Sequence, residues 1–186
     1  LYKPQEKKTS KKRIFFYARP YTARRDFELG LLALEEITKR IKDVEIVFAG
    51  EDISKYVIPF KHQNLGIVNI EKLSNIYSQC DLCLIISNTN LSLLPLEVMA
   101  SNSVAVCSKG PNSAWLVNSC NAILVDYDPV EIADTLEYYL NHLDKLKEIR
   151  KKGVEFASKT SWTQEAEKVR DALIKWIVQD KEQYLK

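Results

Sequence analysis

Short runs of consecutive apolar residues alternate along the chain with stretches whose apolar positions recur at helical spacing. The runs are Ile14 to Ala18, Val44 to Ala49, Leu65 to Val68, Leu82 to Ile86, Val104 to Cys107 and Ala122 to Val125. Being apolar on successive positions and rich in Val, Ile and Phe, they read as strands covered on both faces. Between the first two, Phe27, Leu31, Leu34, Ile37 and Ile41 recur at helical spacing within Arg24 to Ile41, around Gly30, whose missing side chain permits close packing. Pro129 opens a helix carrying Ile132, Ala133, Leu136 and Leu140, and a charged helix follows from about Leu143 to Ser158. Ser161-Trp162-Thr163-Gln164 is a capping-box pattern leading into Trp162, Ala166, Val169, Leu173 and Trp176 on one stripe of a long final helix. Strands alternating with helices predict an α/β fold, a Rossmann-like doubly wound parallel sheet of about six strands with helices on both faces.

Length and composition narrow this further. At 186 residues, 46% hydrophobic and 28% charged, the chain suits one packed domain. No apolar stretch approaches the roughly 18–20 residues of a spanning helix, and the opening Leu1-Tyr2-Lys3-Pro4 lacks the pattern of a signal peptide, so a cytoplasmic setting is expected. The net charge is +2, yet residues 1–13 hold six cations against Glu6 alone, leaving the rest net acidic. Basic residues gathered in a leader rather than over a folded face point to a solvated linker and away from nucleic acid. The expected organisation is a leader over residues 1–12, a domain over 13–178 and a tail over 179–186. Cys80-Asp81-Leu82-Cys83 has metal or redox spacing, but it closes a polar helix and enters a strand, while Cys107, Cys120, His62 and His142 are scattered singly; reduced, mostly buried thiols are expected.

In an open parallel sheet, ligands bind outside the carboxyl ends of strands, where strand order reverses. The loop after Ala18 carries Arg19, Arg24 and Arg25 without an acid, between a strand end and a helix start. Forked guanidinium donors at such a place suit a phosphate or diphosphate. After the fourth strand, Ser87 to Leu94 is a polar loop feeding a helix with Pro95 in its first turn, and the amides near Ser92, Leu93 and Leu94 are expected to face the same space. Glu97 follows among Leu96, Val98, Met99 and Ala100, where a carboxylate needs a hydrogen-bond partner; paired ribose hydroxyls would provide one. The chain contains neither a Gly-x-Gly-x-x-Gly nor a Gly-x-x-x-x-Gly-Lys-Ser/Thr motif, which disfavours dinucleotide redox enzymes and P-loop hydrolases. Asp126-Tyr127-Asp128 resembles an Asp-x-Asp metal motif, but its place before Pro129 reads as turn and cap. A receiver module of similar size is disfavoured because its acidic cluster after the first strand is replaced by Arg19.

Arg19 with a basic residue five positions on, Glu97 within Leu-Glu-Val-Met-Ala-Ser-Asn-Ser-Val-Ala-Val, Asn121 to Val125 and Ser161-Trp162 together resemble the C-terminal half of family-4 glycosyltransferases of the GT-B fold. Tyr17-Ala18-Arg19-Pro20, Phe27 to Gly30 and Pro95-Leu96-Glu97 most resemble rhamnosyltransferases that elongate bacterial surface glycans. The resemblance covers about Arg13 to Trp176. It implies a donor-binding domain of a retaining, metal-independent enzyme that needs no cofactor and takes a nucleotide-diphosphate sugar as substrate. A glycan or lipid-linked glycan acceptor would be held by a separate N-terminal domain, without which this domain would be inactive, and the parent would associate peripherally with the membrane. By position, Arg19 and Arg24 match the pair that holds and stabilises the departing diphosphate, Glu97 the glutamate that binds ribose, and Ser92 to Leu94 the amides facing the distal phosphate. Gly66, Ile67, Val68 and Leu73 match the segment lining the base. Thr89 stands where the family has a first, sugar-contacting glutamate, and Asn90, Leu91 and Ser92 replace glycines. That departure is compatible with a deoxy sugar such as rhamnose, and also with a degenerate, non-catalytic sugar-nucleotide-binding or scaffolding module. The final helix is expected to cross back to the N-terminal domain in the parent, with apolar residues near Tyr184 then exposed.

Overall fold

A computed structural model describes the main chain of residues 1–184 and the side chains of residues 1–178. The elements run β1 (Lys12–Ala18), α1 (Phe27–Arg40), β2 (Val44–Gly50), β3 (His62–Asn64), α2 (Ile70–Ser78), β4 (Leu82–Ile85), α3 (Leu94–Ala100), β5 (Val104–Ser108), β6 (Ile123–Val125), α4 (Pro129–Asn141), α5 (Leu146–Ser158) and α6 (Trp162–Tyr184). All six strands are parallel, in the order β3-β2-β1-β4-β5-β6. The chain winds outward from β1 to β3, then returns to the other side of β1 to begin β4. That reversal leaves the loops after β1 and β4 side by side at the carboxyl edge of the sheet.

Each face of the sheet buries its own cluster. On one, Ile14, Phe16, Phe48 and Leu84 pack against Leu34 and Ile37 of α1 and Ile132 and Leu136 of α4. On the other, Phe15, Cys83, Ile85 and Cys107 pack against Tyr77 of α2 and Val98 and Met99 of α3. Alternate residues of one strand therefore serve opposite layers, and full burial of each Phe contributes roughly 1.5–3 kcal/mol. Gly30 plays the part its sequence suggests: an added Cβ would lie 2.1 Å from Phe16 Cζ, so α1 rests directly on that ring.

Several expectations require correction. The third strand is His62–Asn64 rather than Leu65 to Val68. As an edge strand it can be polar and short, while Leu65 and Val68, on either side of the turn at Gly66, owe their apolar character to packing in the layer that includes α2. The first helix begins at Phe27, because Asp26 takes a left-handed conformation (φ 45°) after the short turn Ala23–Arg25. The leader, though without helix or strand, is not a free solvated linker. Asp81 is almost wholly buried at the entrance to β4, and Lys7 reaches it at 2.7 Å while its carboxylate also accepts from the Arg13 amide. A buried carboxylate needs such partners, so the leader is drawn in.

The remaining elements follow local rules. Ser161 Oγ accepts from the Gln164 amide, capping α6. The helix runs past residue 178, where the domain boundary was expected, and Trp162, Val169, Leu173 and Trp176 on its apolar stripe are exposed. The expectation of exposed residues near Tyr184 lies outside the described side chains. Cys80, Cys83 and Cys107 are buried, free thiols, whereas Cys120 is exposed. Burial pushes the Cys83 thiol up to about 12, which makes it a poor nucleophile or metal ligand. Among the described residues no helix is long and apolar enough to cross a membrane.

Gly30→Ala should lower stability by about 1–3 kcal/mol through overpacking, outweighing the helix-propensity gain of under about 1 kcal/mol. A urea midpoint equal to or above that of the parent chain would contradict the contact, and Phe16→Leu in the same chain should recover part of the loss.

Candidate functional site

The loops after β1 and β4 are tied to each other by backbone and side chain. The Asn88 amide donates to Arg24 O at 2.9 Å, and Asn88 Nδ2 donates to Asp26 Oδ1 at 2.7 Å. Arg24 Nη1 reaches Asn90 O at 3.5 Å. Arg25 Nη2 donates to Ser92 Oγ, and Ser92 itself sits at φ 56°. Tyr17, near the end of β1, gathers the cations: the Arg19 and Arg25 guanidiniums each lie 5.8 Å from its ring centroid. Such cation-over-ring contacts are attractive and fix two neighbouring charges in place.

Arg19 is anchored by two neighbours, with Nε 2.8 Å from Glu51 Oε1 and Nη1 3.3 Å from Tyr17 Oη. Glu51 stands just past β2, at the adjacent strand end, and its amide donates to Ala18 O at 2.9 Å. Its second carboxylate oxygen is buried without a partner. Only the fold brings it here, and the acid-free loop after Ala18 gave no sign of it.

Arg25 differs from its neighbours. Only 6% of it is exposed, and Nη1 is buried with no hydrogen-bond partner. Its affinity for the proton is lowered first by burial and next by the nearby Arg24 charge. Among the described residues no carboxylate lies at ion-pair distance from Arg24 or Arg25. Of the three guanidiniums only Arg19 has a carboxylate at ion-pair distance, so like charges lie together with little neutralisation. The sequence placed Arg25 in the basic loop, but nothing in the linear pattern marked it as the buried member.

Glu97 sits one turn into α3, the helix that begins just after Ser92. Burial raises its proton affinity above the ordinary value, partly opposed by the Tyr2 and Tyr77 hydroxyls. Tyr77 Oη donates to Glu97 Oε2 at 3.3 Å. The carboxylate expected to wait for a ribose is therefore already met by the chain's own phenol.

Other predicted groups are partly committed internally. The Ser92 amide donates to Asn90 Oδ1 at 3.1 Å, so it does not face open space as expected. The Thr89 amide points to Ser87 Oγ at 3.4 Å. Leu93 is 40% exposed, whereas Leu94 is buried in the α3 layer. Gly66, at φ 60°, donates to Asn64 Oδ1 at 3.0 Å and accepts from the Gly50 amide at 2.9 Å, leaving little of its backbone for a base. Ile67 and Val68 line a cavity of about 690 Å³ between α2, β2 and the leader, and Leu73 packs with Val68 on the same face. Asp128 Oδ1 caps α4 by accepting from the Val130 and Glu131 amides, and Asp126 pairs with Lys109. Both aspartates thus serve the turn.

The structure therefore joins Arg19, Arg24, Arg25, Asn90 and Ser92 at the point of strand reversal, with Glu97 on the helix that follows. The domain has a Rossmann-like α/β fold, and the solved structures it superposes on include glycosyltransferase domains. Sucrose-phosphate synthase from Thermosynechococcus elongatus superposes with a TM-score of 0.73 at 15% identity, covering 91% of this chain and 46% of that one. HepE from Anabaena, solved with UDP and glucose, gives 0.73 at 15% over 88% and 48%. The C-terminal domain of the group 1 glycosyl transferase LpcC from Francisella tularensis gives 0.66 at 18% over 80% and 85%. By sequence, the family model described as WsaF, C-terminal domain, matches residues 12–137, and the chain belongs to that family. It is 31% identical over 168 residues to the O-antigen biosynthesis protein RfbC of Myxococcus xanthus, covering 87% of this chain and 13% of that relative's length.

Two outcomes test the electrostatics. Arg25→Met removes a buried, unneutralised charge at similar volume, so the unliganded chain should melt at the same temperature or higher; a clear loss of stability would mean that the guanidinium is structurally satisfied. Glu97 has a folded-state pKa above its ordinary 4.5, so between that value and the raised one the native state holds more proton than the unfolded state. Its contribution to stability must then decline as pH rises through that window. Glu97→Gln should flatten this part of the stability profile in denaturant melts, and an unchanged slope would rule out the shift.

Proposed function

We propose that this chain is the donor-binding domain of a glycosyltransferase in bacterial surface-glycan assembly, and that its ligand is a nucleotide-diphosphate sugar. The observation that carries this reading is the guanidinium cluster at the strand reversal, in which only Arg19 has a carboxylate partner, above all Arg25 with a buried and unpartnered Nη1. A diphosphate offers several acceptor oxygens and two or more negative charges to such a cluster. Family membership and the name of the O-antigen relative support the glycan context. The UDP complexes of HepE and of the pneumococcal O-GlcNAc transferase GtfA, which share the fold, support the donor class.

In the mechanism proposed, the bond between the anomeric carbon and the diphosphate oxygen breaks with its electron pair staying on the diphosphate, while an acceptor hydroxyl oxygen bonds to that carbon and its proton passes to the departing diphosphate. Preorganised donors at that oxygen stabilise the developing charge, a contribution of the order of 2.7–4 kcal/mol for one good contact. Arg19, held by Glu51 and Tyr17, and Arg25, held by Ser92, are the two whose positions are fixed by their neighbours; Arg24 adds charge from the loop. Glu97 accepts from ribose hydroxyls at carboxylate lone pairs that the Tyr77 hydroxyl does not occupy. Retention of configuration, independence from metal and a rhamnosyl donor belong to the same proposal, with the acceptor bound outside this domain. Thr89, lacking a carboxylate for sugar hydroxyls, is the one feature that favours the second reading, a sugar-nucleotide-binding module without catalysis.

Thermal melting with UDP, dTDP and GDP, each beside its monophosphate, tests the donor class. A ligand at about 100 times its Kd stabilises the native state by about 2.7 kcal/mol, which for a chain of this size raises the melting temperature by several degrees. At least one diphosphate should produce that rise and its monophosphate a smaller one. Arg19→Ala and Arg25→Ala should each weaken binding about tenfold or more, as expected for hydrogen bonds to a charged group. No shift from any diphosphate would overturn the reading.

A further inference from the structure

The leader places a competitor for the nucleoside beside Glu97, an inference that rests on the donor reading above. Residues 1–8 lie along α2 through a few polar contacts, and Lys7 anchors their far end on the buried Asp81. The Lys3 amide and carbonyl both engage Ser74 Oγ, at 3.2 and 3.1 Å, and Gln79 spans the Glu6 carbonyl at 2.8 Å and the Lys8 amide at 2.7 Å. These contacts set the ring of Tyr2 against Tyr77, with centroids 6.3 Å apart and planes inclined by 27°. Tyr2 packs with the layer that includes Val68 and Leu73, the segment assigned to the base. Its hydroxyl is buried with no hydrogen-bond partner of good geometry, next to the Glu97 carboxylate.

An aromatic face carrying a hydroxyl close to Glu97 reproduces, in outline, a base with a ribose hydroxyl at the same carboxylate. The placement is inexpensive to undo. The strap has no ladder pairing with the sheet, and the Tyr2 hydroxyl meets the Glu97 carboxylate only at poor geometry. We infer that residues 1–6, ahead of the Lys7 anchor on Asp81, form an autoinhibitory strap in which Tyr2 occupies the nucleoside position against Glu97, so that a nucleoside diphosphate binds only after Tyr2 withdraws. The donor affinity of the chain is then reduced by the fraction of molecules with the strap seated.

Titration calorimetry of UDP, dTDP and GDP into the chain and into Tyr2→Ala tests this, with inorganic pyrophosphate as a ligand lacking the nucleoside. For a strap open in one molecule in ten, Tyr2→Ala should tighten nucleoside diphosphate binding about tenfold and leave pyrophosphate unchanged. Tyr2→Phe, which keeps the ring, should fall between. In the parent chain, a saturating nucleoside diphosphate should speed hydrogen exchange at the Lys3 amide. Nucleotide affinity equal or weaker in Tyr2→Ala, or pyrophosphate tightened to the same extent, would overturn the strap and leave the donor site standing. Absence of nucleoside diphosphate binding by both chains would overturn the donor reading and the strap with it. Equal melting temperatures for the parent and Tyr2→Ala would show that the change lies in the pocket rather than in the fold, and a large loss of stability would show that Tyr2 is core, which also overturns the strap.

Discussion

Arg25 is a full positive charge that the fold encloses without supplying a carboxylate to neutralise it. Desolvating a guanidinium costs several kcal/mol unless hydrogen bonds and counter-charge replace water, and here one hydroxyl and one aromatic face do so only in part. The rest of the domain has to hold that charge in place. The sheet fixes Tyr17, α1 begins only after Asp26 has turned the chain, and Asn88 ties the two loops so that Ser92 meets the guanidinium.

The same logic separates the three arginines. Arg19 is compensated by Glu51 and its direction is set by a salt bridge; Arg24 lies in the loop against a single carbonyl; Arg25 is buried and short of partners. A diphosphate entering this edge would find one oriented fork, one deep fork and a diffuse charge between them. Glu97 lies further along the following helix, already in contact with a phenol, so the arginine cluster and the carboxylate are prepared differently. One is short of negative charge, and the other is occupied by groups of the chain.

Much of this architecture was legible from the linear pattern. The alternation of apolar runs and helical spacing identified a six-stranded doubly wound sheet, and Gly30 was readable as a place where a helix meets the sheet, because a side chain there would collide with Phe16. The caps at Ser161 and Asp128 were readable too, since they are contacts within a few residues. The third strand was misplaced because an edge strand needs no apolar run, whereas the loop beneath α2 does.

The sequence by itself determined the layers, the two basic and polar loops and the candidate carboxylate, because periodicity and local capping depend on neighbours only a few positions apart. Tertiary structure alone decided which arginine is buried, that Glu51 holds Arg19, and that a leader rich in lysine is drawn in by Asp81 and delivers Tyr2 to Glu97. Those pairings join residues from 32 to 95 positions apart, and the charge and burial of each depend on the summed environment of several elements, which no local pattern encodes.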